Sequence, residues 1–143
     1  SLSSAASDVY KRQSIGKAII IRSRVNIKYP WKLKIGNHCW IGEGVWIDNL
    51  DQITLEDNVC ISQGAFLGCG NHNYKSSSFD LMTAPIYIKQ GSWIGAKALV
   101  GPGVITGAHA VLSLGAVATK NLEPYTVYSG NPAIAIHIRK ISE

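Results

Sequence analysis

The chain of 143 residues is short of charge: only 16% of its residues are Asp, Glu, Lys or Arg, against 46% that are apolar. That balance excludes a solvated, disordered segment and asks for a packed core. Cysteine is scarce and odd in number. Cys39, Cys60 and Cys69 make neither an even set nor a CxxC pair, which argues against a disulfide framework and for a reduced, cytoplasmic setting. No apolar run approaches the ~18 residues of a membrane-spanning helix, so no membrane span is expected. A nucleic-acid recognition motif is also missing. The net charge of +5 is scattered apart from Arg22-Ser23-Arg24 and Arg139-Lys140, and reads as a solvated surface or as attraction for a polyphosphate.

Residues 1–13, SLSSAASDVYKRQ, share nothing with the rest of the chain. DVYKRQ back-translates readily to GATGTGTATAAGAGACAG, which resembles a transposon end used in preparing sequencing libraries. The segment is therefore read as a non-native scar on an N-terminally truncated chain, and fold reasoning starts at residue 14. It contains no apolar signal-peptide core.

What the chain does have is a ruler of six residues. Aliphatic residues recur at Ile15, Ile21, Ile27 and Leu33; at Ile35, Ile41, Ile47 and Ile53; at Leu55, Ile61 and Leu67; and at Ile88, Ile94 and Val100. The frame continues through Thr106, Leu112 and Ala118, with Ile105-Thr106 standing in the reverse of the expected order. A second set four residues on is small or apolar, including Cys39, Val45, Val59, Ala65, Ala98, Ala110 and Ala116. A six-residue period suits neither a helix nor an unbroken strand. It suits a short strand plus a corner, three of which close a triangular coil of ~18 residues with its aliphatic side chains stacked inside. The fold class is therefore all-β, a parallel β-helix of about five coils: 15–34, 35–54, 55–72, 88–105 and 106–123. The first two carry two extra residues at a corner. Glycines after the aliphatic positions are expected to relieve awkward corner dihedrals.

The ruler stops at His72 and returns at Ile88, so residues 73–87 are expected to protrude as a loop, polar and Ser-rich at its tip, with Phe79, Leu81 and Met82 suited to docking. A short tail, 124–143, comes after the last coil. Gly-Asn-His occurs twice, but His38 and His109 fall three residues after a ruler position, a recurrent outward corner. His72 stands where the ruler breaks, and Asn71-His72 is the pair to which chemistry is assigned. Cys69, three residues before His72, reads as a structural thiol.

The stretches IGNHCWIGEGVWID, LEDNVCISQGAFLGCGNH and GSWIGAKALVGPGVITGAHAVLSLGAVATKNLEPYTVYSGNPA resemble the hexapeptide-repeat acyltransferases, in particular the sugar O-acetyltransferases of the colanic acid type, relatives of maltose and galactoside acetyltransferases. The resemblance covers about residues 15–136. It implies a left-handed coil, acetyl-CoA as co-substrate, a sugar or exopolysaccharide hydroxyl as acceptor, and a homotrimer with active sites between subunits. His72 is implied as general base in a direct transfer without an acyl-enzyme. The Ala96 N–H, after Trp93-Ile94-Gly95, is implied as oxyanion donor, with Trp93 beside the pantetheine arm. Gly115 and Ala116 would line that arm, and Thr119-Lys120 would reach the adenine end. Asp48, Asn49 and Gln63 are the polar groups able to bind acceptor hydroxyls, each with corner bonding as its alternative.

The chain departs from those relatives in having Gly64 where galactoside-type members have Asn, and Ile134 and His137 where maltose-type members often carry arginines. No metal is expected: His38, His72, His109 and His137 lie too far apart in sequence for the three-histidine site of a γ-type carbonic anhydrase. Other readings are acetylation of an amino sugar or antibiotic, and an inactive β-helix scaffold.

Overall fold

The computed structural model describes residues 15–142, so the scar reading of residues 1–13 lies outside the described residues. From Ile15, which bridges to Ile35, the chain winds in repeated turns. The first contains β1 (Ile20–Ile21) and β2 (Asn26–Ile27), and a 3-10 turn, Pro30–Lys32, leads out of it. The second holds β3 (Leu33–Ile35), β4 (Trp40–Ile41) and β5 (Trp46–Asp48); the third holds β6 (Ile53–Leu55), β7 (Cys60–Ile61) and β8 (Phe66–Gly68). An excursion, β9 (Gly70–His72) and β10 (Leu81–Thr83), precedes the fourth turn of β11 (Ile86–Ile88), β12 (Trp93–Ile94) and β13 (Leu99–Val100). The fifth holds β14 (Ile105–Thr106), β15 (Val111–Leu112) and β16 (Val117–Ala118), and the chain closes on β17 (Thr126–Ser129) and β18 (Ile134–Ile138).

Successive turns stack in parallel into three faces. Face A runs β3-β6-β11-β14, face B runs β1-β4-β7-β12-β15 and continues into β17 and β18, and face C runs β2-β5-β8-β13-β16. This is the expected parallel β-solenoid of about five coils. The register explains the ruler. Ile35, Leu55, Ile88 and Thr106 align on face A, Ile41, Ile61, Ile94 and Leu112 on face B, and Ile47, Leu67, Val100 and Ala118 on face C. All of them are buried. Each buried Ile or Leu stabilises the stack by roughly 1.5–3 kcal/mol before entropy.

Thr106 holds its place in the frame despite its polarity. Its hydroxyl donates to Ser92 Oγ at 3.1 Å, and Ser92 Oγ donates to the Gly107 carbonyl at 3.0 Å, so both buried hydroxyls are satisfied while Ile105 faces out. The extra residues of the first two coils widen the corner between faces C and A, where the 3-10 turn sits.

The corner role expected of glycine is seen between faces B and C, where Gly44, Gly64 and Gly115 have φ of 71°, 69° and 70°, but the glycines directly after the aliphatic positions do not share it. The residue that takes the left-handed conformation at the corner between faces A and B is His38 (φ 57°), Asn58 (59°), Gly91 (69°) or His109 (59°), so the recurrent outward histidines are corner residues. Gly95, which comes after the inward Ile94, is required instead by close approach: a Cβ there would lie 2.6 Å from Leu114 N in the next coil.

Two boundaries also move. The excursion expected at 73–87 starts at Gly70 and is an antiparallel hairpin, His72 opposite Leu81 and Gly70 opposite Thr83, with the coil resuming at Ile86. Its tip is closed by bonds such as Asn73 N to Asp80 O at 2.8 Å. The tail, 124–143, contains a second antiparallel pair, β17 with β18, laid against β15 of face B. Arg139 clips it down, donating to the carbonyls of Gly91 at 2.9 Å and His109 at 3.2 Å.

Candidate active site

His72 is exposed on β9, inside the hairpin rather than at its root. Its Nδ1 lies 3.1 Å from the Phe79 carbonyl, and its ring stacks on the Phe79 ring at 4.3 Å and 12°. A carbonyl oxygen only accepts, so in the neutral imidazole Nδ1 carries the proton and Nε2 keeps its lone pair. The hairpin therefore fixes both tautomer and ring plane. Asn71 turns its Oδ1 onto the His72 N–H at 2.8 Å, bracing the backbone that carries the ring. Phe79, the orienting residue, escaped the sequence reading of His72. Phe79 stood out only as part of the apolar cluster with Leu81 and Met82, and a backbone acceptor has no sequence signature.

Cys69 is fully buried, its Sγ 3.6 Å from the Asp51 carbonyl, and burial pushes its thiol up from the usual value. That disqualifies it as a nucleophile. Among the described residues no cluster of three or more His, Cys, Asp or Glu groups could hold a metal ion.

The other expected residues fall into two sets. On the corner between faces B and C, one turn stacks on the next: Gly44 N donates to Ser23 O, Gly64 N to Glu43 O, Lys97 N to Gln63 O and Gly115 N to Ala96 O, at 2.9–3.1 Å. Gln63, Ala96 and Gly115 thus share one column. Trp93 stands beside it on face B, exposed, with its indole N–H held by Ser62 Oγ at 2.8 Å. The Ala96 N–H has no hydrogen-bond partner among the described residues and is available as a donor. Across face C, the opposite corner carries the hairpin with Asn71 and His72, Asp48 at the end of β5, and Thr119 and Lys120 after β16. Within one chain the two sets do not meet.

Two expected side chains are withdrawn from any site. Asn49 has no exposed surface, and its amide is fully committed: Oδ1 accepts from Tyr29 N at 2.9 Å, and Nδ2 donates to Tyr29 O at 2.7 Å and Lys32 O at 3.1 Å. It clamps the widened corner and has nothing left for an acceptor. Ala116 is also fully buried, pointing into the coil beneath Ala98 and Ala65, where a small residue fits the narrowing inside of the corner.

No family model matches the chain. It is 36% identical over 129 residues, covering 90% of this chain and 71% of the relative, to an Escherichia coli (strain K12) protein provisionally named colanic acid biosynthesis acetyltransferase WcaF. Among solved structures, a maltose O-acetyltransferase from Clostridium difficile 630 superposes with a TM-score of 0.87 at 23% identity, covering 94% of this chain and 75% of that one. A hexapeptide-repeat-containing acetyltransferase from Vibrio cholerae O1 biovar eltor, complexed with acetyl coenzyme A, gives 0.86 at 22%, covering 99% and 80%. These two likenesses concern the fold, the left-handed β-helix.

Proposed function

The chain belongs to the hexapeptide-repeat acetyltransferase family, and from that premise we propose that it transfers the acetyl group of acetyl-CoA to a hydroxyl of a sugar or exopolysaccharide intermediate. The observation that carries the mechanism is the Phe79 carbonyl on His72 Nδ1, because it leaves Nε2 as a positioned base. Nε2 takes the proton of the acceptor hydroxyl as its oxygen attacks the thioester carbonyl carbon. The carbonyl oxygen becomes an oxyanion, which the Ala96 N–H meets as a fixed donor. Collapse breaks the C–S bond, and the thiolate leaves with the proton returned from His72, so no acyl-enzyme forms.

Because the His72 corner and the Ala96 column are separated by face C, the proposal needs two copies per site. The hairpin and Thr119-Lys120 of one subunit would face Trp93, Ala96 and Gly115 of the next, closing a homotrimer. Exposed Phe79, Leu81 and Met82 supply apolar surface for that contact. Asp48 and Gln63 remain the acceptor-side candidates.

The test is thiol release from acetyl-CoA over a panel of sugar and sugar-lipid acceptors. His72→Ala should lower kcat by roughly 10²–10⁴-fold. Undiminished turnover in that variant would remove His72 from the mechanism, absence of turnover with every acceptor would favour a scaffold, and a monomer by light scattering would refute the shared site.

A further inference from the structure

A cavity of about 520 Å³ at the first coils is lined by Arg22, Arg24, Trp40, Glu43 and Gln63, of which only Gln63 has so far been given a place at the acceptor. Two features mark it as a place for a ligand. First, its charges do not cancel. Glu43 pairs with Arg24, whereas Arg22 has no carboxylate partner among the described residues and rests over the Trp40 ring at 5.7 Å. Second, it continues the column that contains Ala96. Lys97 N bonds to Gln63 O, Gly64 N to Glu43 O and Gly44 N to Ser23 O, so Gln63, Glu43 and Arg24 lie one, two and three coils from Ala96. At about 4.8 Å per coil, the cavity spans roughly 5–14 Å from the N–H assigned to the oxyanion.

A single sugar ring is about as long as one coil step and would reach Gln63 only. We propose that the cavity is a distal acceptor subsite that selects an acceptor longer than one sugar, with an anionic oxygen group, carboxylate or phosphate, held by Arg22. The Gln63 amide suits a hydroxyl, the Trp40 indole offers an apolar face, and a guanidinium bonds both oxygens of a carboxylate or phosphate in a planar fork. This rests on the acetyltransferase reading for the identity of the neighbouring site.

The test compares three acceptors of equal length: a neutral disaccharide, the same disaccharide with a uronate as its distal ring, and a glycoside with a distal phosphate. The kcat/KM ratio of anionic to neutral acceptor should exceed one in the wild type and fall roughly tenfold in Arg22→Gln, with partial recovery in Arg22→Lys. The uronate and phosphate arms decide which anion is recognised. A ratio of one, or one unmoved by Arg22→Gln, overturns the subsite. Tryptophan fluorescence titration without acetyl-CoA keeps the outcomes apart. Saturable quenching by an anionic saccharide, weakened in Arg22→Gln, supports the subsite even if no acceptor turns over, in which case the transferase reading fails alone. Absence of both the quenching and a ratio above one refutes it.

Discussion

Replacing Asn49 by Ala tests whether the widened corner is held by one side chain. The substitution removes three hydrogen bonds, at 2.7, 2.9 and 3.1 Å, between a fully buried amide and the backbone of Tyr29 and Lys32. At about 1 kcal/mol net each, the loss is roughly 3 kcal/mol. Water can reach the half-buried Tyr29 and Lys32 backbone and recover part of it, so the expected range is about 2–3 kcal/mol. Urea unfolding should show a lower midpoint with a similar slope; a changed slope would mean that the first coils unfold separately from the rest. Asn49→Asp keeps the Oδ1 acceptor but turns a carboxylate oxygen toward two carbonyls. Its folded-state pKa should rise, so the variant should be most stable at acid pH and lose stability as pH climbs through that raised value. Acceptor KM, measured where Asn49→Ala is still folded, should match the wild type. A stability loss under about 0.5 kcal/mol would refute the clamp, and a raised KM with unchanged stability would restore the acceptor-binding role.

Glycine substitutions should separate two kinds of requirement. Gly115→Ala meets no atom within 4 Å and suffers only its φ of 70°, a cost of about 1–2 kcal/mol by thermal unfolding. Gly95→Ala forces a Cβ toward Leu114 N and should cost more, although its φ is ordinary; equal effects would contradict the close-approach argument. Ser92→Ala strands the buried Thr106 hydroxyl and should cost about 1–3 kcal/mol. Adding Thr106→Val should recover part of that, and strict additivity in the double-mutant cycle would mean that the two hydroxyls are not coupled. Alkylation of the native protein and then mass spectrometry should label half-buried Cys60 first, and Cys39 and Cys69 only on unfolding, since desolvation pushes all three thiols up and exposure alone separates them. Early labelling of Cys69 would reopen its case as a nucleophile.

Much of the site was legible because hexad phase is a local property. His38 and His109 are corner residues, as their shared phase implied, and His72 lies outside the ruler. Phase could not say that the hairpin begins at Gly70, because that depends on pairing with residues 81–83 across an excursion without periodicity. Nor could it distinguish the buried amide of Asn49 from the outward side chain of Gln63. Both are polar residues near a corner, and only the neighbouring coil decides which of them meets backbone and which meets solvent.

The sequence by itself determined a parallel solenoid with three faces, since an inward aliphatic every six residues has one closed arrangement that buries them all. It also determined where that arrangement is interrupted. Only the tertiary structure decided which atoms meet across the interruption and between coils: the Phe79 carbonyl on His72, the Tyr29 backbone on Asn49, and the next coil's backbone against Gly95. These contacts join residues seven to twenty positions apart through main-chain atoms, which every amino acid carries and no residue pattern can therefore announce.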